Sequence, residues 1–241
     1  MSAPTGPIPV PSVVDAIAAG RPVAAVWVNE LGGVTFQVGT GERREFVKTA
    51  PAGRPHLLAA EAERMRWAVD FTPVPRLIAA GDGWLHTAGM PGRSAVDPRW
   101  LAAPRTAVRA IGSGLRRLHD TLPVAGCPFD WSVPTRLRRE VPAQARATVG
   151  EAPPVDRMVV CHGDACAPNT LIGDDGAFSG HVDLGDLGVA DRWADIAVAL
   201  LSLSWNFGPA DWEDELLAAY GVQRDAVRID YYQRLWQAGD A

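Results

Sequence analysis

The stretch His162-Gly163-Asp164-Ala165-Cys166-Ala167-Pro168-Asn169 decides how this chain is read. It has the form H-x-D-x-x-x-x-N, and Asp183-Leu184-Gly185 begins fourteen residues after Asn169. That order is the layout of phosphoryl transfer: a catalytic loop, then an Asp-x-Gly that holds a metal ion. The residue types suit the chemistry. Moving a phosphoryl group needs little covalent help but much positioning and charge neutralisation. Asp164 can accept or orient the proton of an attacking hydroxyl. Asn169 offers a neutral carbonyl oxygen and Asp183 an anionic one, the ligands that a hard cation such as Mg²⁺ takes. Gly163 and Gly185 let the backbone turn tightly beside phosphate. Each motif also recurs by chance, with Asp164 as a turn residue and Asp183 as a strand-end cap. The rest of the chain decides between the two readings.

Upstream, three β-rich runs stand in a row: Val23-Ala24-Ala25-Val26-Trp27-Val28, Val34-Thr35-Phe36-Gln37-Val38 and Glu45-Phe46-Val47-Lys48. The turn clusters Asn29-Glu30-Leu31-Gly32-Gly33 and Gly39-Thr40-Gly41 separate them, which predicts an antiparallel meander. A helix is expected over Pro55–Val69, where Leu58, Ala62, Met65 and Val69 recur at helical spacing. Lys48 is the only lysine among 23 basic side chains, the other 22 being arginine. A chain that uses arginine for surface charge keeps a lysine where a compact ammonium is needed. Glu61 lies three after Leu58 and four before Met65, on the apolar stripe of the helix. A carboxylate there needs a cation, and Lys48 is the expected partner. The pair would present the ammonium to the α- and β-phosphates of a nucleotide. Glu63 reads as solvent-facing. The Gly32-Gly33 turn can cover phosphates with backbone N–H groups, although most glycine pairs in hairpins are only turns.

Downstream, Trp84-Leu85-His86-Thr87 reads as a further strand, and Met90-Pro91-Gly92 breaks the pattern. This places a boundary between a β-rich lobe, 1–91, and a helical lobe, 92–241. A helix is expected from Pro104 to His119, with Ala107, Ile111, Leu115 and Leu118 on one face. The Pro- and Arg-rich stretch from Pro123 to Pro154 reads as loop with one short helix. Asp191 can cap a helix whose apolar residues are Trp193, Ile196, Ala197, Leu200 and Leu201. Two more helices are expected near 211–220 and 224–237. The fold class is therefore α+β, with a small N-terminal antiparallel β lobe and a larger, mostly helical C-terminal lobe.

Composition narrows the function. With 241 residues, 47% apolar and 21% charged, general disorder is excluded. No apolar run approaches the roughly 18 residues of a membrane span, so no membrane partner is expected. The Pro-rich N-terminus, Met1 to Val14, lacks the pattern of a signal peptide. Three cysteines cannot all pair within one chain, so a reducing, cytoplasmic setting is expected. Cys161, His162 and Cys166 lack a second ligand pair at zinc-like spacing and read as buried thiols. A net charge of −5 speaks against nucleic acid, despite the run Arg136-Leu137-Arg138-Arg139.

The catalytic-loop run resembles that of the bacterial aminoglycoside 3'-phosphotransferases. So do Phe178-Ser179-Gly180-His181-Val182-Asp183-Leu184-Gly185 and Gly188-Val189-Ala190-Asp191-Arg192-Trp193-Ala194-Asp195-Ile196-Ala197. Val47-Lys48-Thr49, Glu61 with Trp67, Pro91-Gly92, Arg117-Leu118-His119 and Cys127-Pro128-Phe129-Asp130 match in the same order. The resemblance implies a bilobal protein-kinase-like fold, ATP or GTP with Mg²⁺, and transfer to a hydroxyl of an aminoglycoside. It implies Lys48 and Glu61 as the phosphate-binding pair, Asp164 as the catalytic carboxylate, and Asn169 and Asp183 as metal ligands. Thr87, Gly89 and Met90 fall in the stretch that resembles the adenine-contacting hinge.

Three departures concern the acceptor. The segment from Trp131 to Val159 is shorter than in the resistance enzymes. Asp186 stands where they usually carry arginine, and the C-terminus lacks their acidic-aromatic ending. Asp130, Glu140, Glu151, Asp156 and Asp186 are the carboxylates left on the expected acceptor side. Weak, salt-sensitive aminoglycoside binding is therefore expected. Another hydroxylated metabolite or antibiotic as acceptor, or nucleotide binding without turnover, are the alternatives.

Overall fold

The computed structural model describes residues 4, 6–29, 31–208 and 210–239. Two compact units divide them. The first runs to Pro91, except that Phe71–Pro73 belong to the second, which otherwise runs from Gly92 onward.

The first unit contains α1 (Ser12–Ala18), β1 (Val23–Val28), β2 (Val34–Val38), β3 (Glu45–Thr49), α2 (His56–Ala68), β4 (Leu77–Gly81) and β5 (Trp84–Ala88). The strands form one antiparallel sheet in the order β1-β2-β3-β5-β4. The expected meander is present, and β4 is added at its edge. Register fixes the two faces: Lys48 lies opposite Thr35 and Leu85, and Val47 opposite Phe36 and His86. Side chains alternate along a strand, so Phe46, Lys48 and Thr87 share one face. On the other face Phe36, Val38 and Val47 are completely buried against Val14 and Ala18 of α1. The N-terminal stretch, read from sequence only as proline-rich, therefore supplies a helix that covers this sheet. Pro11 sits just ahead of its first residue, where a missing N–H costs nothing. Helix α2 packs against β4 and β5.

The second unit contains β6 (Arg93–Ser94), α3 (Pro98–Leu101), α4 (Pro104–Thr121), α5 (Val133–Arg139), α6 (Arg146–Val149), β7 (Met158–Cys161), β8 (Thr170–Ile172), β9 (Phe178–His181), β10 (Gly188–Asp191), α7 (Trp193–Asn206), α8 (Glu213–Tyr220) and α9 (Ala226–Gly239). Two short helices, not one, occupy the proline-rich stretch. Helix α4 buries Ala107, Ile111, Leu115 and Leu118 as expected. Its Gly112 lets α8 approach closely: a Cβ there would lie 2.7 Å from the Leu216 carbonyl oxygen. Strands β7 and β10 pair antiparallel, with Cys161 opposite Gly188. Strands β6, β8 and β9 form a second small sheet. Residues 162–169 thus begin where β7 ends, and Asp183 follows the end of β9. The β7–β10 pairing brings the chain beyond Asp183 back beside the start of the 162–169 loop. Among the described residues no helix is long and apolar enough to cross a membrane.

Candidate active site

The 162–169 loop hangs on one buried carboxylate. Asp195 stands in the first turn of α7, a helix buried on nearly every side, and its side chain is completely buried. Such a group needs donors, and it has three. Oδ2 accepts the His162 backbone N–H at 2.5 Å and the His119 Nε2–H at 3.0 Å, while Oδ1 accepts the Gly163 N–H at 3.0 Å. Burial pushes the Asp195 pKa up, but the hydrogen bonds from the His119 ring and the His162 backbone N–H help to outweigh it and hold the group below its ordinary range. His162 then ties the loop to the Asp183 segment. Its Nε2–H donates to the Val182 carbonyl at 2.9 Å, and its Nδ1 takes the Asp164 N–H at 3.3 Å. Gly163 has φ +89°, and a Cβ there would lie 2.2 Å from the Asp186 carbonyl oxygen. Only glycine permits that contact between the two loops.

Asp164 and Asn169 are brought together. The Asn169 amide nitrogen donates to the Asp164 carbonyl at 3.0 Å and to its carboxylate Oδ2 at 2.9 Å. With its NH₂ turned to Asp164, the amide presents Oδ1 in the opposite direction. The other Asp164 oxygen, Oδ1, is buried with no hydrogen-bond partner among the described residues. Burial, then the nearby charge of Asp183, push Asp164 above the usual carboxylate range, and the Cys166 thiol and Asn169 amide partly oppose this. Asp183 adopts φ +63°, and among the described residues the only other non-glycine residue with positive φ is Ala19. A non-glycine residue held in the left-handed region marks a place where the surroundings impose a conformation. An amide oxygen and two carboxylates are the hard donors that suit a magnesium ion.

In the first unit, Lys48 Nζ lies 2.8 Å from Glu61 Oε2, with Glu61 nearly buried and Glu63 exposed. The expected pair is therefore made. Thr87 lies on the same sheet face as Lys48. Beyond β5, the Gly89 N–H donates to the Arg44 carbonyl at 2.9 Å, and the Arg44 guanidinium reaches the Met90 carbonyl. A Cβ on Gly89 would meet the Arg44 carbonyl oxygen at 2.5 Å, so the glycine is required there. The Gly32-Gly33 turn exists, but its N–H groups are engaged within it. Gly33 donates to Asn29 Oδ1 at 2.7 Å and Gly32 to the Asn29 carbonyl at 3.0 Å. Asn29 thus takes up both of the N–H groups that were expected to cover phosphate.

Sequence reasoning assigned no role to Asp195 or His119, although both stand in runs that matched the family pattern. The available signal was an acid inside a helix that is otherwise apolar. His119, Cys161 and Asp195 also form a cluster with metal-ligand side chains. It is a hydrogen-bonded core instead. Asp195 is satisfied by three N–H groups, and burial pushes the Cys161 thiol well above its ordinary range. Cys127, Cys161 and Cys166 form no disulfide among the described residues. Asp130, Glu140 and Asp156, all expected to face an acceptor, are engaged within the chain. Asp130 accepts the Ser132 N–H at 2.8 Å and the Thr135 hydroxyl. Glu140 pairs with Arg136 at 3.2 Å, and Asp156 with Arg192 at 2.6 Å.

Comparison with known proteins adds four findings. Residues 30–235 match the phosphotransferase enzyme family. The chain is 35% identical to an aminoglycoside 3'-phosphotransferase of Streptomyces fradiae, across 88% of this chain and 92% of that protein. The crystal structure of a type VIII aminoglycoside-3'-phosphotransferase superposes with a TM-score of 0.76 at 28% identity, covering 93% of this chain and 98% of that one. Aminoglycoside phosphotransferase APH(3'')-Id from Streptomyces rimosus, solved with ADP and streptomycin, superposes with a TM-score of 0.66 at 27% identity, over 86% and 90% of the two chains.

Proposed function

The chain belongs to the phosphotransferase enzyme family, and on that footing we propose that it is an ATP-dependent kinase that moves the γ-phosphate to a hydroxyl of an aminoglycoside. The observation that carries the reading is Asp164. One of its oxygens has no hydrogen-bond partner among the described residues, and its loop has a backbone fixed by Asp195. A carboxylate pushed above its usual range is a better proton acceptor than a solvated one. Asp164 would orient the acceptor hydroxyl and take its proton as the oxygen bonds to phosphorus, while ADP leaves with the electrons of the broken P–O bond. Lys48, held by Glu61, would meet the α- and β-phosphates. The stretch Thr87–Met90 would contact the adenine. Asn169 Oδ1 and the Asp183 carboxylate would hold Mg²⁺, which when bound neutralises phosphate charge. The reaction consumes ATP and the described cysteines form no disulfide, both in keeping with a reducing cytoplasmic setting.

A second reading concerns the acceptor alone. Asp130, Glu140 and Asp156 are engaged by groups of the chain itself, which favours a hydroxylated acceptor with fewer amines than a typical aminoglycoside. Both readings are tested by incubating the protein with ATP, magnesium and a set of hydroxylated antibiotics, and following the mass of each compound. An 80 Da gain on kanamycin or streptomycin supports the first reading. A gain confined to neutral or singly charged compounds supports the second. No gain on any compound, with ATP still bound, would show a nucleotide-binding protein without turnover.

A further inference from the structure

Asp195 fixes the catalytic loop only if His119 presents a proton to it, and an imidazole has two nitrogens that can carry that proton. Asp195, an acceptor only, favours the proton on Nε2, and a donor at Nδ1 would hold it there. His119 stands in the last turn of α4, and its Nδ1 lies 2.8 Å from the hydroxyl of Tyr220, the last residue of α8. The rings meet edge to face at 5.6 Å. Both side chains are buried, so no water competes for this contact.

The chain builds the contact deliberately. Gly112 brings α4 and α8 into backbone contact, two turns before His119. Gly221, in the left-handed region at φ +84°, ends α8 just after Tyr220. The guanidinium of Arg116 holds the Tyr220 carbonyl at 3.3 Å. Tyr220 is thereby set in one place at the end of its helix. Its hydroxyl can donate to Nδ1, and the ring proton then resides on Nε2, where it faces Asp195 Oδ2 at 3.0 Å. Burial pushes the Tyr220 hydroxyl up to about 12, so it keeps its proton at neutral pH.

We propose that Tyr220 is a positioning residue for phosphoryl transfer: through His119 and Asp195 it fixes the backbone of His162 and Gly163, and so the place of Asp164. The chain of contacts runs Tyr220 Oη, His119 Nδ1 and Nε2, Asp195 Oδ2 and Oδ1, then the two backbone N–H groups. Tyr220 touches no reacting atom. Removing its hydroxyl takes away the donor at Nδ1 and leaves Asp195 alone to hold the ring proton on Nε2 and the ring in place.

The proposal rests on reading Asp164 as the catalytic carboxylate, and its test separates the two ideas. Tyr220→Phe, His119→Gln and the double variant are compared with the full wild-type chain. Glutamine places an amide N–H near the position of Nε2 and has no tautomer to select. Tyr220→Phe is expected to lower kcat three- to tenfold with the KM for ATP within twofold. In the His119→Gln background the same change should alter kcat by less than twofold. An equal loss in both backgrounds, or none in either, overturns the proposal. Backbone ¹H–¹⁵N spectra give a second readout that needs no acceptor. The His162 and Gly163 amide signals should shift in Tyr220→Phe. They should stay in Tyr231→Phe, whose buried hydroxyl has no partner among the described residues. Signals that do not move in Tyr220→Phe overturn the proposal whatever the enzyme phosphorylates. Signals that move while no compound is phosphorylated uphold it and count against the acceptor reading alone.

Discussion

The catalytic loop and the stretch from Asp130 to Glu140 lie in the same unit, and both depend on carboxylates, but they use them differently. In the loop the supporting groups come from far along the chain: Asp195 from α7, His119 from α4, Val182 from the Asp183 segment. Around α5 the partners are neighbours: Asp130 holds Ser132 and Thr135 at the start of the helix, and Glu140 pairs with Arg136 one turn away. Buried, long-range support leaves the loop one well-defined backbone path and a carboxylate whose charge the fold has not used up. Local support leaves an ordinary helix start whose charge is used up. A carboxylate is therefore available to a substrate only where the fold has satisfied the backbone around it by other means.

Three substitutions probe this contrast. Asp164→Asn should have the largest effect on activity, lowering kcat by roughly 10²- to 10⁴-fold while nucleotide binding is kept. It should also raise the melting temperature near neutral pH. The sign follows from the raised pKa: the folded state holds that proton more tightly than the unfolded chain, so the ionised group costs stability above its folded pKa. Below the unfolded carboxylate range the cost vanishes, and wild type and variant should melt together. An inactive variant that melts below wild type at neutral pH would mean that the ionised carboxylate stabilises the loop.

Gly163→Ala should come next. It combines backbone strain on the order of 1–3 kcal/mol with a clash against the Asp186 carbonyl. Both melting temperature and kcat should fall, and a variant indistinguishable from wild type in both would show that the two loops are not held against each other. Asp130→Ala should have the smallest effect, about 1 kcal/mol from the lost helix-start bonds, or a drop of roughly 2–4 °C in Tm. Its KM for any acceptor should stay unchanged. A tenfold rise in that KM without loss of Tm would reverse the comparison and return Asp130 to the acceptor side.

Much of the fold is legible because its signals are local. The meander from Val23 to Lys48, the helix containing Glu61 and the helices after Asp191 all follow from short-range periodicity. The Lys48–Glu61 contact is legible too, since a lone lysine and an acid on an apolar stripe leave few other partners. Helix α1 is hidden because prolines flank it and only seven residues form it, with Val14 and Ala18 its buried side. Strand β4 is hidden because Ala79, Ala80 and Gly81 have weak strand preference. The engagement of Gly32 and Gly33 by Asn29 depends on turn geometry that composition does not specify. The Asp195 network joins groups 32 to 76 residues apart, and no window of sequence contains it.

The single lysine has a consequence for reagents rather than for catalysis. Apart from the α-amine of the chain, Lys48 is the only aliphatic amine that acylating or reductively alkylating compounds can find. Such a compound gives one side-chain product, countable as one mass increment. Because the ammonium is paired to Glu61, its rate of labelling reports how often that pair opens. Any lysine-directed modification of this protein, accidental or enzymatic, is then a modification at the residue proposed to meet the nucleotide.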